Sequence, residues 1–105
     1  MAKKRPRTER RQAARELDKL GEARAKVAAL EPGGAPDRPL EVPSASTVEG
    51  RAVALGCARC GGEVRLEAHE AEVVSGVALR RARTRCKACR AARDVWLRVA
   101  PPLLH

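Results

Sequence analysis

Four cysteines constrain this chain more than anything else in it: Cys57 and Cys60, then Cys86 and Cys89. They are the only cysteines in 105 residues, and they stand as two C-x-x-C pairs with 25 residues between the pairs. A C-x-x-C turn aims two thiolates the same way, and two such turns brought together surround one ion tetrahedrally. Zn²⁺ favours thiolates and needs no redox chemistry. The spacing therefore predicts one structural Zn²⁺ bound by Cys57, Cys60, Cys86 and Cys89. Gly61 and Gly62 follow the first pair, where they let the chain fold tightly and bring backbone N–H groups onto the sulfurs. Two other uses of four cysteines compete. Two disulfides suit an oxidising compartment, which nothing in the sequence suggests. A redox-active C-x-x-C usually opens a helix in a βαβ pattern, and no such pattern surrounds these pairs.

From Arg51 to Ala100 the chain resembles a zinc ribbon of the kind found in small bacterial proteins. The resemblance covers about half the chain and rests on the two cysteine pairs. It implies two cysteine knuckles holding a small antiparallel sheet, with the four cysteines as zinc ligands. For function it implies little, although such ribbons are common in transcription and translation proteins. The sequence departs from the pattern at Arg90 and Ala91, where a glycine is common, so the second knuckle is expected to be less regular. The insert between the knuckles is long enough for two full strands and a loop.

A metal is also what the composition calls for. Aromatic residues make up 1% of the chain, and 20 alanines sit within its 44% of hydrophobic residues. Alanine buries little area, so the core must be small and a metal is the expected substitute. The formal charge is +9, from 22 basic and 13 acidic residues. Four thiolates around one Zn²⁺ carry −2, which leaves the loaded chain basic. A basic chain favours an acidic partner, nucleic acid first. No apolar run approaches the ~20 residues that span a membrane. No apolar segment follows the basic start, so no secretory signal is expected. Reduced cysteines without an export signal point to a cytoplasmic location.

The expected fold is small α+β: an N-terminal helix, a Pro/Gly-rich linker and a C-terminal antiparallel β zinc ribbon. Residues 1–30 are basic tail and helix, 31–50 a flexible linker and 51–100 the ribbon domain. Met1–Arg7 reads as a basic tail, because Pro6 opposes a helix there. Thr8 caps a helix running to Leu30, with Glu9 in its first turn and an apolar stripe of Ala13, Leu17, Leu20, Val27 and Leu30 interrupted by Arg24. Its acidic and basic residues alternate at the spacing of i,i+3 and i,i+4 ion pairs. Pro32, Gly33 and Gly34 end it. Four prolines between residues 31 and 50 oppose regular structure there, apart from a short extended piece at Leu40–Val42. Arg51–Leu55 is read as a short strand. Glu63–Ala68 is a strand with Val64, Leu66 and Ala68 on one face, and His69–Glu72 a turn. Val73–Arg85 is extended with a bulge at Gly76, and Asp94–Val99 is the last strand.

After the cysteines, the densest feature is Arg80, Arg81, Arg83, Arg85, Lys87, Arg90 and Arg93, uninterrupted by an acidic residue. Arginine grips phosphates bidentately and stacks on bases, which makes the cluster a candidate nucleic-acid contact. Strand alternation splits it over two faces, and the same cations also suit neutralisation of a −2 metal centre or plain solubility. Trp96, the lone aromatic, covers the sheet in one reading and stacks a base in the other. His69 and His105 are not needed as ligands once four thiolates complete the tetrahedron. A closed thiolate site activates no water, and the chain shows no Gly-rich phosphate loop and no Ser/His/Asp set. The expected function is therefore a non-enzymatic, nucleic-acid-associated zinc protein with no small-molecule substrate. The alternative is a protein-interaction adaptor, and a third reading is a thiol-redox or zinc-handling protein.

Overall fold

A computed structural model describes residues 6–100 of the chain. Helix α1 runs from Pro6 to Leu30 and helix α2 from Val48 to Ala54. The strands are β1 (Leu40–Val42), β2 (Val64–Val74), β3 (Val77–Cys86) and β4 (Ala92–Val99). They form one sheet in the order β1-β4-β3-β2. The class is small α+β, as the sequence implies. The sheet is mixed: β2–β3 and β3–β4 are antiparallel, while β1 lies parallel to β4.

Helix α1 begins two residues before the expected cap. Proline fits the first turn of a helix, where its missing N–H has no intrahelical partner to lose, so Pro6 opens α1 and Thr8 lies inside it. The rest of the expected tail, Met1–Arg5, lies outside the described residues. At the other end Arg38 Nη2 donates to the Ala29 carbonyl at 2.8 Å. That satisfies a carbonyl left open by the last turn and puts a cation at the negative end of the helix dipole. None of the acidic residues of α1 forms the i,i+3 or i,i+4 ion pairs expected of it, among the described residues.

The stretch after α1 does more than link. The Trp96 N–H donates to the Gly33 carbonyl at 2.8 Å, which lays this segment along β4 before β1 begins. Leu40 and Val42 then pair with Leu97 and Val99. A single 3-10 turn, Ala45–Thr47, leads into α2.

Arg51–Leu55 is a correction: it belongs to α2 and its exit turn, not to a strand. Val53 and Leu55 alternate like strand residues. The decisive pair is Val48 and Ala52, one helical turn apart and both fully buried. They pack with Val42, Ala82, Val95 and Leu97 into the main core, so α2 lies over one face of the sheet. Six residues, two of them alanines, make a small core. Each full-size aliphatic side chain contributes about 1.5–3 kcal/mol on burial.

The β2–β3 hairpin is longer than expected. His69–Glu72, read as a turn, is strand, and the reversal falls at Ser75–Gly76 between the paired residues Val74 and Val77. Both turn residues have positive φ, 50° and 79°, as a two-residue type I′ turn requires. Gly76 is therefore a turn residue and not a bulge. The register shift lies instead between Leu66 and Ala68, where Glu67 is the extra residue. Beyond it the alternation inverts. His69, not Ala68, stands opposite the buried Ala82. His69 Nδ1 meets Glu49 Oε2 at 2.9 Å, tying β2 to α2.

Candidate metal centre

Each cysteine pair is held in a backbone loop with the same hydrogen bonds. In the first, which joins α2 to β2, Gly61 N–H donates to the Cys57 carbonyl at 3.0 Å and Cys57 N–H to the Gly62 carbonyl at 2.9 Å. In the second, which joins β3 to β4, Arg90 N–H donates to the Cys86 carbonyl at 3.1 Å and Cys86 N–H to the Ala91 carbonyl at 2.9 Å. The residue after each pair is left-handed, Gly61 at φ 73° and Arg90 at φ 64°. The second knuckle is thus as regular as the first despite its arginine, which adopts a conformation that ordinarily favours glycine. Lys87 N–H donates to the Glu63 carbonyl at 2.9 Å and fastens one knuckle to the other.

This geometry gathers all four sulfurs. Their Sγ atoms lie within 4.8 Å of one another. Cys57 and Cys89 are 3.5 Å apart, as are Cys60 and Cys86, and all four cysteines are free. A tetrahedron with Zn–S bonds of ~2.3 Å has edges of about 3.8 Å, so the donor set fits a four-coordinate thiophilic ion. Backbone N–H groups point at the sulfurs: Arg59 at Cys57 (3.4 Å), Gly62 at Cys60 (3.4 Å), and Ala88 and Cys89 at Cys86 (3.3 and 3.4 Å). A Cβ on Gly62 would sit 3.1 Å from one sulfur and 3.2 Å from another, so any side chain here would press on the sulfur cluster.

Backbone N–H groups also favour the thiolate form of two of the four cysteines, Cys86 and Cys57, whereas, against the Ala91 amide, burial and the neighbouring sulfurs push the Cys89 thiol up to about 12. The amides of Cys89 and Ala88 stabilise the Cys86 thiolate and bring its pKa down to about 6. Burial opposes ionisation of Cys57, yet the amides of Cys60 and Arg59 together hold its thiol below the ordinary value. Val53 and Ala91 pack against Cys57, Val64 and Cys86, which joins the centre to α2 and to the sheet.

The arginine cluster is dispersed by the strand geometry. Arg81, Arg83 and Arg85 share one face of β3, and the neighbouring strands supply carboxylates that the linear sequence hides. Arg81 meets Glu70 at 2.8 Å and Glu72 at 2.9 Å. Arg83 lies 3.5 Å from Asp94 and 3.6 Å from Glu67. Arg85 meets Glu67 at 2.8 Å and also donates to the Arg90 carbonyl at 2.8 Å. The bulge lets Glu67 serve two arginines. Arg80 is half-buried on the opposite face, beside Leu97 in the register. Lys87 makes a looser, exposed pair with Glu63 at 3.3 Å. Lys87, Arg85 and Arg90 border a shallow concavity beside the second knuckle, together with Arg65, which the linear reading passed over. Arg93 is half-buried and turned toward the first knuckle and α1.

Trp96 is half-buried on the outer face, with the Arg81 guanidinium carbon 6.0 Å from its ring centroid. That distance is a cation–π contact at the sheet surface. His69 sits in β2, and His105 lies outside the described residues. One residue missed by sequence reasoning is Gly21. It is buried, and a Cβ there would lie 3.1 Å from the Arg59 guanidinium, so the first knuckle meets α1 at this point. Its signal is the lone glycine inside a strong helical pattern, which often marks a close approach.

No described helix is long and apolar enough to cross a membrane. No family model, curated protein or solved structure matches the chain.

Proposed function

We propose that the four thiolates hold one structural Zn²⁺ and that the chain is a non-enzymatic protein that associates with nucleic acid. The gathering of four sulfurs within 4.8 Å carries the metal assignment. Four thiolates leave Zn²⁺ no open position for water or substrate, which supports a structural role rather than a catalytic one. When bound, the ion crosslinks the α2–β2 and β3–β4 connections and supplies folding free energy that the small core lacks.

The nucleic-acid reading rests on where free positive charge lies. Arg81, Arg83 and Arg85 are matched by carboxylates, so they are poor candidates for phosphate contacts. Helix α1 carries Arg7, Arg10, Arg11, Arg15, Lys19, Arg24 and Lys26, all exposed and none in an ion pair among the described residues. Unpaired cations along a helix suit the phosphate backbone, with Arg65 and Arg90, beside the loosely paired Lys87, as a second patch. A competing protein-adaptor reading has its own observation. Leu17, Leu20, Val27 and Leu30 on α1 are 48–71% exposed, an apolar stripe that a protein partner would cover.

One experiment separates these readings. Native mass spectrometry across a salt series, with a short mixed-sequence RNA or DNA, should show one Zn²⁺ per chain and a complex that dissolves as salt rises. Replacing Arg10, Arg11 and Arg15 by Gln should remove the complex, while Leu17→Ser with Leu20→Ser should spare it. No complex at low salt would end the nucleic-acid reading. Chelation of the metal should unfold the ribbon, seen as collapse of amide NMR dispersion.

A further inference from the structure

Four thiolates around one divalent cation would carry a net charge of −2, and Cys57, one of the four cysteines, lines the space bordered by α1. Two cavities of about 240 and 460 Å³ lie between α1 and the first knuckle. Cys57, Ala58 and Ala28 line both, and Arg93 is the one charged side chain common to the two. Arg93 reaches this place because its register partner on β3 is Thr84, on the face opposite the Arg81, Arg83 and Arg85 ion pairs. No carboxylate pairs with it among the described residues. Burial depresses its guanidinium, and the charges that reach it and oppose this are those of Glu31 and the Cys57 sulfur.

A half-buried guanidinium without an ion-pair partner costs free energy. Arg81, Arg83, Arg85 and Arg98 of this sheet have carboxylate partners. Arg93, like Arg65 and Arg80, has no ion pair among the described residues, and of these three it alone lines the space beside Cys57. A −2 centre next to it removes the anomaly, and the arginine in turn offsets charge that the four sulfurs concentrate on themselves. We propose that Arg93 is the counter-ion of the metal–thiolate centre: a positioning residue held by β4 that touches no metal yet raises the affinity with which the four cysteines retain it. The inference rests on the zinc assignment above. It gives Arg93 a role toward the metal in place of phosphate contact. Glu31, just past the end of α1, makes no ion pair with Arg93 but acts on the same cation at longer range.

The test measures zinc affinity by competition with a chromophoric chelator for the full chain and three variants. Arg93→Gln should bind zinc about 10–100-fold more weakly, the range found when groups that support metal ligands are removed. Arg93→Lys should recover most of the loss, because charge rather than shape is the claim. Arg51→Gln removes one exposed charge from α2 and should stay within about 3-fold of the parent. Co²⁺ loading reads the site separately: a tetrahedral tetrathiolate spectrum in Arg93→Gln shows that all four ligands still bind. Parent-like affinity in Arg93→Gln overturns the proposal, as does an equal loss in Arg51→Gln or in Arg93→Lys. If Arg93→Gln does not fold, the Lys variant decides alone. A parent chain that binds no zinc defeats the metal assignment itself, a distinct result.

Discussion

Arg90 shows how a single residue carries strain within the second cysteine loop. It occupies the same left-handed conformation as Gly61, at φ 64° against 73°. A non-glycine residue there costs on the order of 1 kcal/mol. Arg90→Gly should therefore stabilise the loaded protein by up to about 1 kcal/mol, less what glycine adds to unfolded-chain entropy. Thermal melts in excess zinc would read this, and a lower midpoint would refute it. Gly61→Ala should do the reverse. Residue identity made the four-cysteine cluster legible, because two C-x-x-C pairs at this separation have few other uses. It did not reveal that Arg90 imitates a glycine, since conformation at one position is imposed by the hydrogen bonds around it. Nor did it show Arg93 turning inward, because that depends on the register between β3 and β4.

At the level of elements, the strand–helix confusion at Arg51–Leu55 has a physical cause. A seven-residue helix containing Gly50 has little intrinsic propensity, and burial of Val48 and Ala52 decides its conformation. That burial depends on strands far away in the chain. The β2–β3 hairpin was half legible. Alternation marked the strands, but the charged run His69–Glu72 resembled a turn, whereas these charges face arginines on β3 and the Ser75–Gly76 turn lies beyond them. Glu67 illustrates the consequence. Its hydrogen bond with Arg85, followed by the charges of Arg85 and Arg83, holds its carboxyl below the usual value. A carboxylate with a lowered folded-state pKa contributes stability at pH above its unfolded pKa and loses it as pH falls through the folded pKa. Glu67→Gln should therefore lower the thermal midpoint at neutral pH, and the gap from the parent should close on acidification below the carboxylate range. A gap that is constant with pH would show that the ion pair contributes nothing.

The whole molecule is elongated. Its radius of gyration is 17.9 Å and its extents are 75 × 23 × 22 Å, whereas a compact chain of this length has a radius near 13 Å. Most of α1 stands clear of the sheet, and only the neighbourhood of Gly21, Ala25 and Ala28 is sheltered. Small-angle scattering of the zinc-loaded monomer should give a radius close to 17.9 Å. A value near 13 Å would mean that α1 folds back onto the sheet in solution. The general layout, helix then proline-rich stretch then cysteine-bearing strands, was readable from composition and pattern. The part that stayed hidden was the incorporation of the proline-rich stretch into the sheet, because three residues pairing with a strand 57 positions later leave no local signature.

That distant pairing also sets a timetable. At ~5–20 residues per second of synthesis, Leu40 is made about 3–11 s before Leu97 exists to receive it. Throughout that interval β1 is a strand without a neighbour, open to any other chain that offers an edge. Pro39 and Pro43 stand immediately on either side of it. A three-residue strand closed at both ends by residues without an N–H cannot lengthen into a ladder with a stranger. The prolines that resemble mere spacers in the sequence are thus expected to guard the newborn chain while its own last strand is still to come. Replacing both with alanine should increase aggregation during refolding from denaturant, and light scattering that matches the parent would show that the guard is unnecessary.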